Sequence, residues 1–310
     1  MESIIKVDHL SHRYSVQWAI KDICFEISRQ GIYGLLGSNG AGKSTLMNII
    51  CGIIKQSSGK VYINSIEMGG DSIAAKSHIG FLPQSAPVYT DLNVTEYLRY
   101  TAELRGVEDS KIAGAVERVL ELCRLTQFRK RLIGSLSGGY QQRVGIAQAI
   151  IHEPDIVIFD EPTNGLDPNQ VADIRGLLRL IAQERTVIFS SHQLHEVKEL
   201  CEHVFMVEQG HIVFDGSINE FDNAVVPDSI FVTMRDAPAI SSLELLPGIQ
   251  CVEELNECDY RLRFSNVQEA MDAVVRASAE NGWKLTEIRL EKKSLEAIFA
   301  ELAHKSRDVQ

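Results

Sequence analysis

Short apolar runs recur through the first 220 residues of the chain, and longer segments with helical spacing separate them. Such runs are typical of buried parallel strands, and their alternation with helices predicts an α/β fold. Partial alternation of apolar and polar positions at residues 4 to 7, 20 to 27 and 61 to 63 predicts an additional antiparallel layer. The runs expected to form the central strands are residues 32 to 36, 79 to 82, 156 to 160 and 186 to 190.

A helical region, about residues 88 to 150, interrupts this α/β pattern. Residues 95 to 104 and residues 112 to 122 both place apolar side chains at positions i, i+3, i+4 and i+7. This is the spacing of an amphipathic helix. We therefore expect a helical subdomain that is inserted between two strands of the mixed sheet.

A second domain is predicted after residue 222, where a connector containing Pro227 follows the last strand-like segment. Its residues, 228 to 310, show the order strand, helix, strand, strand, helix, strand, and a last helix at 295 to 303. This order is typical of a small ferredoxin-like α+β sandwich. The domain contains no motif with recognisable chemistry. A packing, dimer-stabilising or regulatory role and a ligand-sensing role therefore both stay open.

Composition narrows the choice of partners and compartment. The chain has 310 residues and a formal net charge of −11, whereas proteins that bind nucleic acid neutralise phosphates with a basic face, so nucleic acid is not expected as the main partner. No run approaches 18 apolar residues, and the N-terminus lacks the apolar core of a signal peptide, so we expect a cytoplasmic protein. The six cysteines form no Cys-x-x-Cys pair and are expected to be free thiols.

A glycine-rich loop between two apolar runs carries the strongest chemical signal, because it predicts a strand, a tight loop and a helix. Glycines let backbone N–H groups turn inward around a phosphate, and the helix N-terminus adds its positive dipole. We expect Lys43 to reach the β- and γ-phosphates of a nucleoside triphosphate and the hydroxyl of Ser44 to ligate Mg²⁺. The predicted nucleotide-binding residues of this loop are Gly37, Ser38, Asn39, Gly40, Ala41, Gly42, Lys43, Ser44 and Thr45.

Three further motifs indicate a family. One apolar run ends in Asp160 and Glu161, the string Ser137-Gly138-Gly139 precedes a helical segment, and another apolar run ends in Ser190-Ser191-His192. With the glycine-rich loop, they make the first 220 residues resemble an ATP-binding-cassette (ABC) ATPase, the nucleotide-binding subunit of an ABC transporter. The pattern is most similar to exporter and gliding-motility ATPases. The resemblance implies a P-loop NTPase cassette over residues 1 to 222, with the smaller α+β domain following it.

The resemblance also implies roles for single residues around the phosphates. Glu161 resembles the general base that polarises the attacking water, and Asp160 resembles the acid that holds the Mg²⁺ coordination sphere. Gln84 resembles the glutamine that reaches Mg²⁺ and water, and His192 resembles the switch histidine at the γ-phosphate. The spacing of His192 and His195 would also suit a metal pair on a helix, but no third ligand lies nearby in the sequence.

Two assignments concern the rest of the nucleotide. In the family an aromatic face before the second strand stacks on adenine, and Tyr14 is assigned to that role. The neighbouring His12, Arg13 and Trp18 leave other choices. Asp167 belongs to a string that continues the family pattern after Glu161, and it is grouped with the nucleotide-binding residues.

The resemblance implies that two cassettes work together. Ser137, Gly138 and Gly139 at a helix start should close the ATP site of a second cassette, most simply in a homodimer. Tyr140 departs from the glutamine common in the family at this position, and we expect it to alter closure or partner contacts. The implied protein is an ATPase that binds the cytoplasmic face of the membrane and drives a separate integral membrane permease. The alternative is a soluble ABC ATPase that acts on ribosomes or DNA.

Overall fold

The computed structural model describes residues 3–70, 72–224 and 227–292, which divide into two compact units, Met1–Ile218 and Asn219–Gln310. The first unit contains a six-stranded sheet, a four-stranded sheet and a helical region. Its strands are β1 (Ile5–Tyr14), β2 (Gln17–Ile27), β3 (Ile32–Gly37), β4 (Ser58–Ile63), β5 (Ile66–Glu67), β6 (Ile79–Leu82), β7 (Ile156–Phe159), β8 (Thr186–Ser191), β9 (His203–Glu208) and β10 (His211–Ser217). The helices up to residue 224 are α1 (Lys43–Ile50), α2 (Ser72–Ser77), α3 (Val94–Leu104), α4 (Asp109–Leu122), α5 (Gly138–Ile150), α6 (Pro168–Ala182), α7 (Leu194–Leu200) and α8 (Ile218–Ala224).

The six-stranded sheet has the order β10-β9-β3-β8-β7-β6, and its neighbours are parallel except for β9 and β10. Every residue of β6, β7 and β8 is buried, as the uninterrupted apolar runs predicted. The sequence analysis did not assign β9 and β10. The apolar run from Val204 to Val207 and the turn at Gln209 and Gly210 are the signals that indicate this hairpin.

Helix α1 is packed in the core between the two sheets. The four-stranded sheet is antiparallel with the order β2-β1-β4-β5, and its Ile5 and Ile23 join one apolar cluster with Leu46 and Met47 of α1. Phe205 of β9 belongs to the same cluster, and all five side chains are at most 2% exposed. Full burial of a side chain of this size stabilises a fold by roughly 1.5–3 kcal/mol. The helix that follows the glycine-rich loop is therefore firmly held.

The helical region contains α3, α4 and α5, and the first two correspond to the helices predicted at 95 to 104 and 112 to 122. Helix α3 begins with a capping box, in which Asn93 Oδ1 accepts a hydrogen bond from the Glu96 N–H at 3.0 Å. The Glu96 carboxylate accepts one from the Asn93 N–H at 3.0 Å in return. Nine of the 13 residues of α5 are buried, so this helix is the core of the region.

In its described residues, the second unit forms a four-stranded antiparallel sheet with two helices, in addition to α8, which belongs to this unit from residue 219 onward. Its order β12-β13-β11-β14 is that of a ferredoxin-like sandwich, and Leu262 lies in register with both Ile230 and Val252. Ile230 and Leu262 pack in a core with Val274. The helix predicted at 295 to 303 lies outside the described residues. The elements of this unit are β11 (Pro227–Met234), α9 (Ile240–Glu244), β12 (Ile249–Glu254), β13 (Asp259–Phe264), α10 (Val267–Asn281) and β14 (Leu285–Lys292).

Candidate functional site

The glycine-rich loop joins β3 to α1 in a conformation that requires glycine at two positions. Gly42 precedes α1 with a φ of 109°, and a Cβ added there would lie 2.5 Å from the carbonyl oxygen of Ala19. A Cβ on Gly37 would lie 2.3 Å from the carbonyl oxygen of Val207. No side chain fits at either distance, so glycine lets the loop pack directly against β2 and β9.

Lys43 is a buried cation at the end of this loop. Its side chain is 5% exposed, and its Nζ donates hydrogen bonds to the carbonyl oxygens of Gly37 and Ser38, both at 2.9 Å. Burial lowers the pKa of the Lys43 ammonium, while the nearby Glu161 and Asp160 carboxylates act in the opposite direction. The distance from Lys43 Nζ to Glu161 Oε1 is 3.9 Å. The loop therefore presents a desolvated positive charge next to a carboxylate.

Glu161 is the second residue after β7, and three polar side chains hold it. Its Oε2 accepts hydrogen bonds from Gln84 Nε2 at 3.3 Å and from Asn164 Nδ2 at 3.1 Å. Its Oε1 lies 3.3 Å from His192 Nδ1. The residue is 9% exposed and has a φ of 48°, in the left-handed region that disfavours any residue with a Cβ. The carboxylate is therefore oriented by its surroundings and by a strained backbone.

A buried hydroxyl connects the two adjacent acids. Ser190 Oγ, at the end of β8, donates a hydrogen bond to Asp160 Oδ1 at 2.6 Å. The same oxygen accepts a hydrogen bond from the backbone N–H of Glu161 at 2.9 Å. Ser190 is 0% exposed and Asp160 is 3% exposed. Pairing of β7 with β8 thus fixes the positions of both acids.

Lys43 and Glu161 border a cleft of about 640 Å³ in the first unit. Ten of the predicted site residues line it, so the structure brings together most of the predicted site. Gln17, Trp18, Ala19 and Asn164 also line it. The ten predicted residues are Tyr14, Asn39, Gly40, Gly42, Lys43, Ser44, Thr45, Gln84, Glu161 and His192.

Four predicted site residues do not line this cleft, and they belong neither to the glycine-rich loop nor to the Asp160–Glu161 pair. Ser137 and Gly138 are exposed at the start of α5, and Gly139 is buried against the side chain of Gln170. The carboxylate of Asp167 caps α6, where its Oδ1 accepts a hydrogen bond from the Gln170 N–H at 2.9 Å. Within one chain, these residues are separate from the cleft.

The side chain of Tyr140 packs inside its own helical region. Its ring lies 4.3 Å from the ring of Phe128, measured between centroids. Its backbone N–H donates to the carbonyl oxygen of Ser137 at 2.9 Å, within the first turn of α5. Tyr140 therefore contributes packing of α5 against its own region, a role that the sequence analysis did not foresee.

Two aromatic side chains border the cleft at the β1–β2 hairpin. Tyr14 is 51% exposed and touches His12 edge to face, with ring centroids 4.7 Å apart. Trp18 is 47% exposed, and the guanidinium of Arg13 lies 5.8 Å from its ring centroid. His12 is buried and does not line the cleft, so the alternatives for an aromatic contact with a ligand reduce to Tyr14 and Trp18.

Sequence reasoning missed three residues that shape the site. Asn164 and Ser190 bond to the paired acids, and Glu208 at the end of β9 accepts a hydrogen bond from Ser38 Oγ at 2.8 Å. The position of Asn164 three residues after Glu161 was an available signal. Nothing local in the sequence indicates Glu208, because its partner lies 170 residues away.

The donor set at the cleft fits Mg²⁺. Ser44 and Gln84 line the cleft and offer a hydroxyl and an amide oxygen. Asp160 does not line it, but its carboxylate is joined to the Glu161 backbone through the Ser190 hydroxyl. Mg²⁺ prefers hard oxygen ligands of these kinds together with phosphate oxygens and water.

The structure does not support a metal site at the two neighbouring histidines. His192 precedes α7, with its Nδ1 beside Glu161, whereas His195 is exposed on that helix. The two histidines therefore do not form a pair on one helix.

Comparison with known proteins identifies the family. The family model described as ABC transporter matches residues 20–164. An uncharacterized ABC transporter ATP-binding protein of Methanocaldococcus jannaschii is 34% identical over 221 residues, which cover 71% of this chain and 80% of that protein. The chain belongs to the ABC transporter ATP-binding proteins. A bacitracin transport ATP-binding protein of Bacillus licheniformis is 35% identical over 215 residues, covering 69% of each chain. Among solved structures, a Clostridium perfringens protein that is part of an ABC transporter complex has a TM-score of 0.66 and 29% identity, over 72% of this chain and 92% of that chain.

Family membership settles the general activity. The chain is an ABC ATPase, the ATP-hydrolysing subunit that powers transport through a separate permease. Proteins of this family bind ATP, and the Clostridium perfringens protein is part of an ABC transporter complex. In the described ranges of the chain, no helix combines the length and the apolar character that crossing a bilayer requires.

Proposed function

We propose that the cleft binds ATP with Mg²⁺ and that Glu161 is the general base of ATP hydrolysis. The observation that carries this proposal is the arrangement of the Glu161 carboxylate at the cleft wall, where Gln84, Asn164 and His192 contact its two oxygens. A carboxylate that is fixed in this way can accept the proton of a water that attacks the γ-phosphate. Both hydrogen-bond donors on Oε2 are neutral amides, so they orient the carboxylate without removing its negative charge.

The other groups at the cleft supply positioning and charge neutralisation, which phosphoryl transfer requires most. Lys43 neutralises charge that develops on the β- and γ-phosphates. His192 holds the base and donates to the γ-phosphate, and Gln84 orients the attacking water. Ser44, Gln84 and Asp160 would hold Mg²⁺, which when bound would neutralise phosphate oxygens. This assignment of roles rests on the oxygen-bearing side chains near the glycine-rich loop and on the three polar side chains that contact Glu161.

The adenine end of the nucleotide is assigned to the β1–β2 hairpin. Tyr14 presents half of its surface to solvent at the cleft, which leaves a ring face free to stack on a base. Its edge contact with His12 limits the orientations of the ring. If Trp18 rather than Tyr14 stacks on adenine, Trp18→Ala and not Tyr14→Ala will weaken ATP binding in calorimetry.

The active form is proposed to be a homodimer with two composite ATP sites. Ser137 and Gly138 are exposed, lie at the N-terminus of a 13-residue helix, and are separate from the cleft of their own chain. The N–H groups of such a helix end suit the phosphates of ATP held by a second chain. We assign Asp167 to the same closing surface, because it accepts a hydrogen bond from the N–H of Gln170, whose side chain lies against Gly139.

A groove on the first unit is proposed to receive the permease at the cytoplasmic face of the membrane. The groove has a volume of about 690 Å³ and is bordered by Ile53, Phe81, Pro83 and Arg105. Ile53 is 60% exposed, which is unfavourable for a large aliphatic side chain in water. Pro83 directly precedes Gln84, so an occupant of the groove lies next to the cleft. When the chain is co-expressed with its permease, Ile53→Glu should reduce the membrane-bound fraction, and an unchanged fraction would exclude the groove.

The cargo is proposed to be a small molecule that is exported. The Bacillus licheniformis relative is a bacitracin transport protein, which supports a drug-like cargo for a related ATPase. The choice of cargo itself belongs to the permease. Transport assays with the intact complex test it, because uptake rather than efflux would contradict the direction.

The role of the base is tested with Glu161→Gln. We expect ATP binding to persist while steady-state turnover falls by about 10²- to 10⁴-fold, the usual contribution of a general base. Glu153→Gln is a matched control, because Glu153 also has a positive φ, of 55°, and lies outside the cleft. Turnover near the wild-type rate in Glu161→Gln, measured by phosphate release, would remove Glu161 from this role.

The composite site is tested in the Glu161→Gln background, in which ATP-bound dimers should accumulate. Adding Ser137→Arg puts a bulky side chain on the closing surface, so we expect ATP binding to remain and dimerisation to be lost. Ser110→Arg, at another exposed serine of the helical region, is the control. Equal dimer formation by both arginine variants in light scattering would refute the composite site.

A further inference from the structure

Glu196 is a buried acid that does not line the cleft and that contacts both the segment carrying Glu161 and the segment carrying His192. It lies on α7 and its side chain is 4% exposed. One of its oxygens, Oε2, accepts a hydrogen bond from Thr163 Oγ1 at 3.0 Å and another from Ser191 Oγ at 2.7 Å. Its other oxygen, Oε1, lies 3.5 Å from Nη2 of Arg175 on α6. A buried carboxylate is stable only with such partners. Here the three partners are side chains from outside α7: Thr163 after β7, Ser191 at the end of β8 and Arg175 on α6.

The two hydroxyl donors belong to the segments that carry the proposed base and the switch histidine. Thr163 lies two residues after Glu161, and Ser191 directly precedes His192. At the other end of the same segments, Glu161 Oε1 and His192 Nδ1 are 3.3 Å apart. A single oxygen of Glu196 therefore bridges the two segments through residues that do not line the cleft.

The Ser191 hydroxyl also organises the start of the His192 loop. Its Oγ accepts a hydrogen bond from the backbone N–H of Gln193 at 3.0 Å, while it donates to Glu196. His192 is thus spanned by a short hydrogen-bonded turn whose position depends on the Glu196 carboxylate. Loss of that acceptor would release the turn without removing any group that lines the cleft.

Glu199 allows the hydroxyl contacts of Glu196 to be distinguished from its ion pair with Arg175. Glu199, one turn further along α7, also pairs with Arg175, and it is half exposed. Its other pairing is with Arg179, which lies on α6 and away from the two hydroxyls. Glu199 therefore shares the helix, the charge and the Arg175 partner of Glu196, whereas the hydroxyls of Thr163 and Ser191 donate to Glu196.

We propose that Glu196 is a positioning residue for ATP hydrolysis, which keeps the Glu161 segment and the His192 segment at the catalytic distance by accepting both hydroxyls on one oxygen. The inference rests on the proposed function of Glu161 and His192. Glu196 does not line the cleft, so its loss should slow turnover and leave the phosphate contacts of Lys43 intact.

The test compares Glu196→Ala with Glu199→Ala in the full chain. We expect the Glu196 variant to lose about tenfold in kcat with KM for ATP within about twofold of wild type, because a displaced base or histidine slows the chemical step. Glu199→Ala should keep wild-type kcat. Glu196→Gln should recover most of the rate, since its amide oxygen can accept both hydroxyls. Equal kcat values for the two alanine variants would overturn the proposal.

A second pair of variants keeps the test valid if Glu196→Ala does not fold, as judged by circular dichroism. Thr163→Val with Ser191→Ala removes both donors and leaves the Glu196–Arg175 pair, so the same loss in kcat is expected. Where Glu196→Ala does fold, adding it to the double variant should lower kcat by less than about twofold more, because the contacts through which it acts are already gone. A folded double variant with wild-type kcat would also overturn the proposal.

The proposed function is tested separately in the same series. If Glu161→Gln and His192→Ala retain wild-type turnover, the roles of the base and the histidine are wrong, and the inference falls with them. If those two variants lose turnover and Glu196→Ala does not, only the positioning role of Glu196 is wrong.

Discussion

His152, which follows α5 and precedes β7, should make the stability of the protein depend on pH. Its Nε2 lies 3.2 Å from the carbonyl oxygen of Ile79, so this nitrogen carries the proton and donates. Its Nδ1 is buried and has no hydrogen-bond partner among the described residues. A second proton on Nδ1 would therefore place an unsatisfied N–H and a positive charge in the interior. Burial, assisted by the positive charge of Arg105, lowers the pKa of His152 from 6.5 to about 4.

The sign and size of the effect follow from linkage. Between pH 6.5 and about pH 4 the unfolded chain binds a proton at His152 and the folded chain does not. This contribution to stability is thus complete above pH 6.5 and is lost as the pH falls toward 4. The two pKa values differ by about 2.5, and each pKa unit corresponds to about 1.4 kcal/mol, so the total contribution is about 3.5 kcal/mol. At pH 5.5 about 1.3 kcal/mol of it should already be gone.

The assay is urea unfolding of the full chain, followed by circular dichroism at pH 7.5 and pH 5.5. His152→Gln keeps a donor for the Ile79 carbonyl oxygen but cannot take up a proton, so it should lose about 1.3 kcal/mol less than wild type over this interval. His195→Gln, at an exposed position on α7, is the matched control and should follow wild type. The same loss of stability in wild type and His152→Gln would refute the reasoning.

Two further predictions concern the glycine-rich loop. Gly42→Ala adds a Cβ 2.5 Å from the carbonyl oxygen of Ala19 at a φ of 109°, so we expect a lower melting temperature and loss of ATP binding in calorimetry. Gly114→Ala, inside α4 with open space at its Cβ, should instead raise stability by roughly 1 kcal/mol, and a matching loss in both variants would contradict the steric argument. Lys43→Ala removes a desolvated cation and should weaken ATP binding at least about tenfold, while Lys60→Ala on β4 should not; unchanged affinity in calorimetry would disprove the phosphate contact.

The sequence predicted those features whose causes lie within a few neighbouring residues. Uninterrupted apolar runs predicted β6, β7 and β8, and helical spacing predicted α3 and α4. The glycine-rich loop was recognisable because glycine, lysine and serine must follow one another there. Nine of the ten predicted site residues at the cleft follow β3, β6, β7 or β8, which are neighbours in the six-stranded sheet, whereas Tyr14 lies on β1 of the other sheet.

Features that depend on distant segments could not be predicted in the same way. The Ser190 hydroxyl contacts Asp160 across two neighbouring strands, 30 residues away, and the Glu208 carboxylate contacts Ser38 across 170 residues. A serine at the end of an apolar run is compatible with many partners, so its role appears only when the strand order is known. The packing of Tyr140 against Phe128 was missed for the same reason. The roles of the cleft residues stay predictions until they are tested by mutation.

At position 161, the backbone conformation favours glycine for stability, whereas the proposed hydrolysis requires a carboxylate. A residue with a Cβ at a φ of 48° loses roughly 1–2 kcal/mol relative to a residue without that strain, and glycine avoids most of this loss. A library of variants selected for heat resistance alone should therefore enrich the substitution Glu161→Gly, and its members would fold well and turn over poorly. Improvement of this protein by directed evolution needs a selection that rewards ATP hydrolysis in every round.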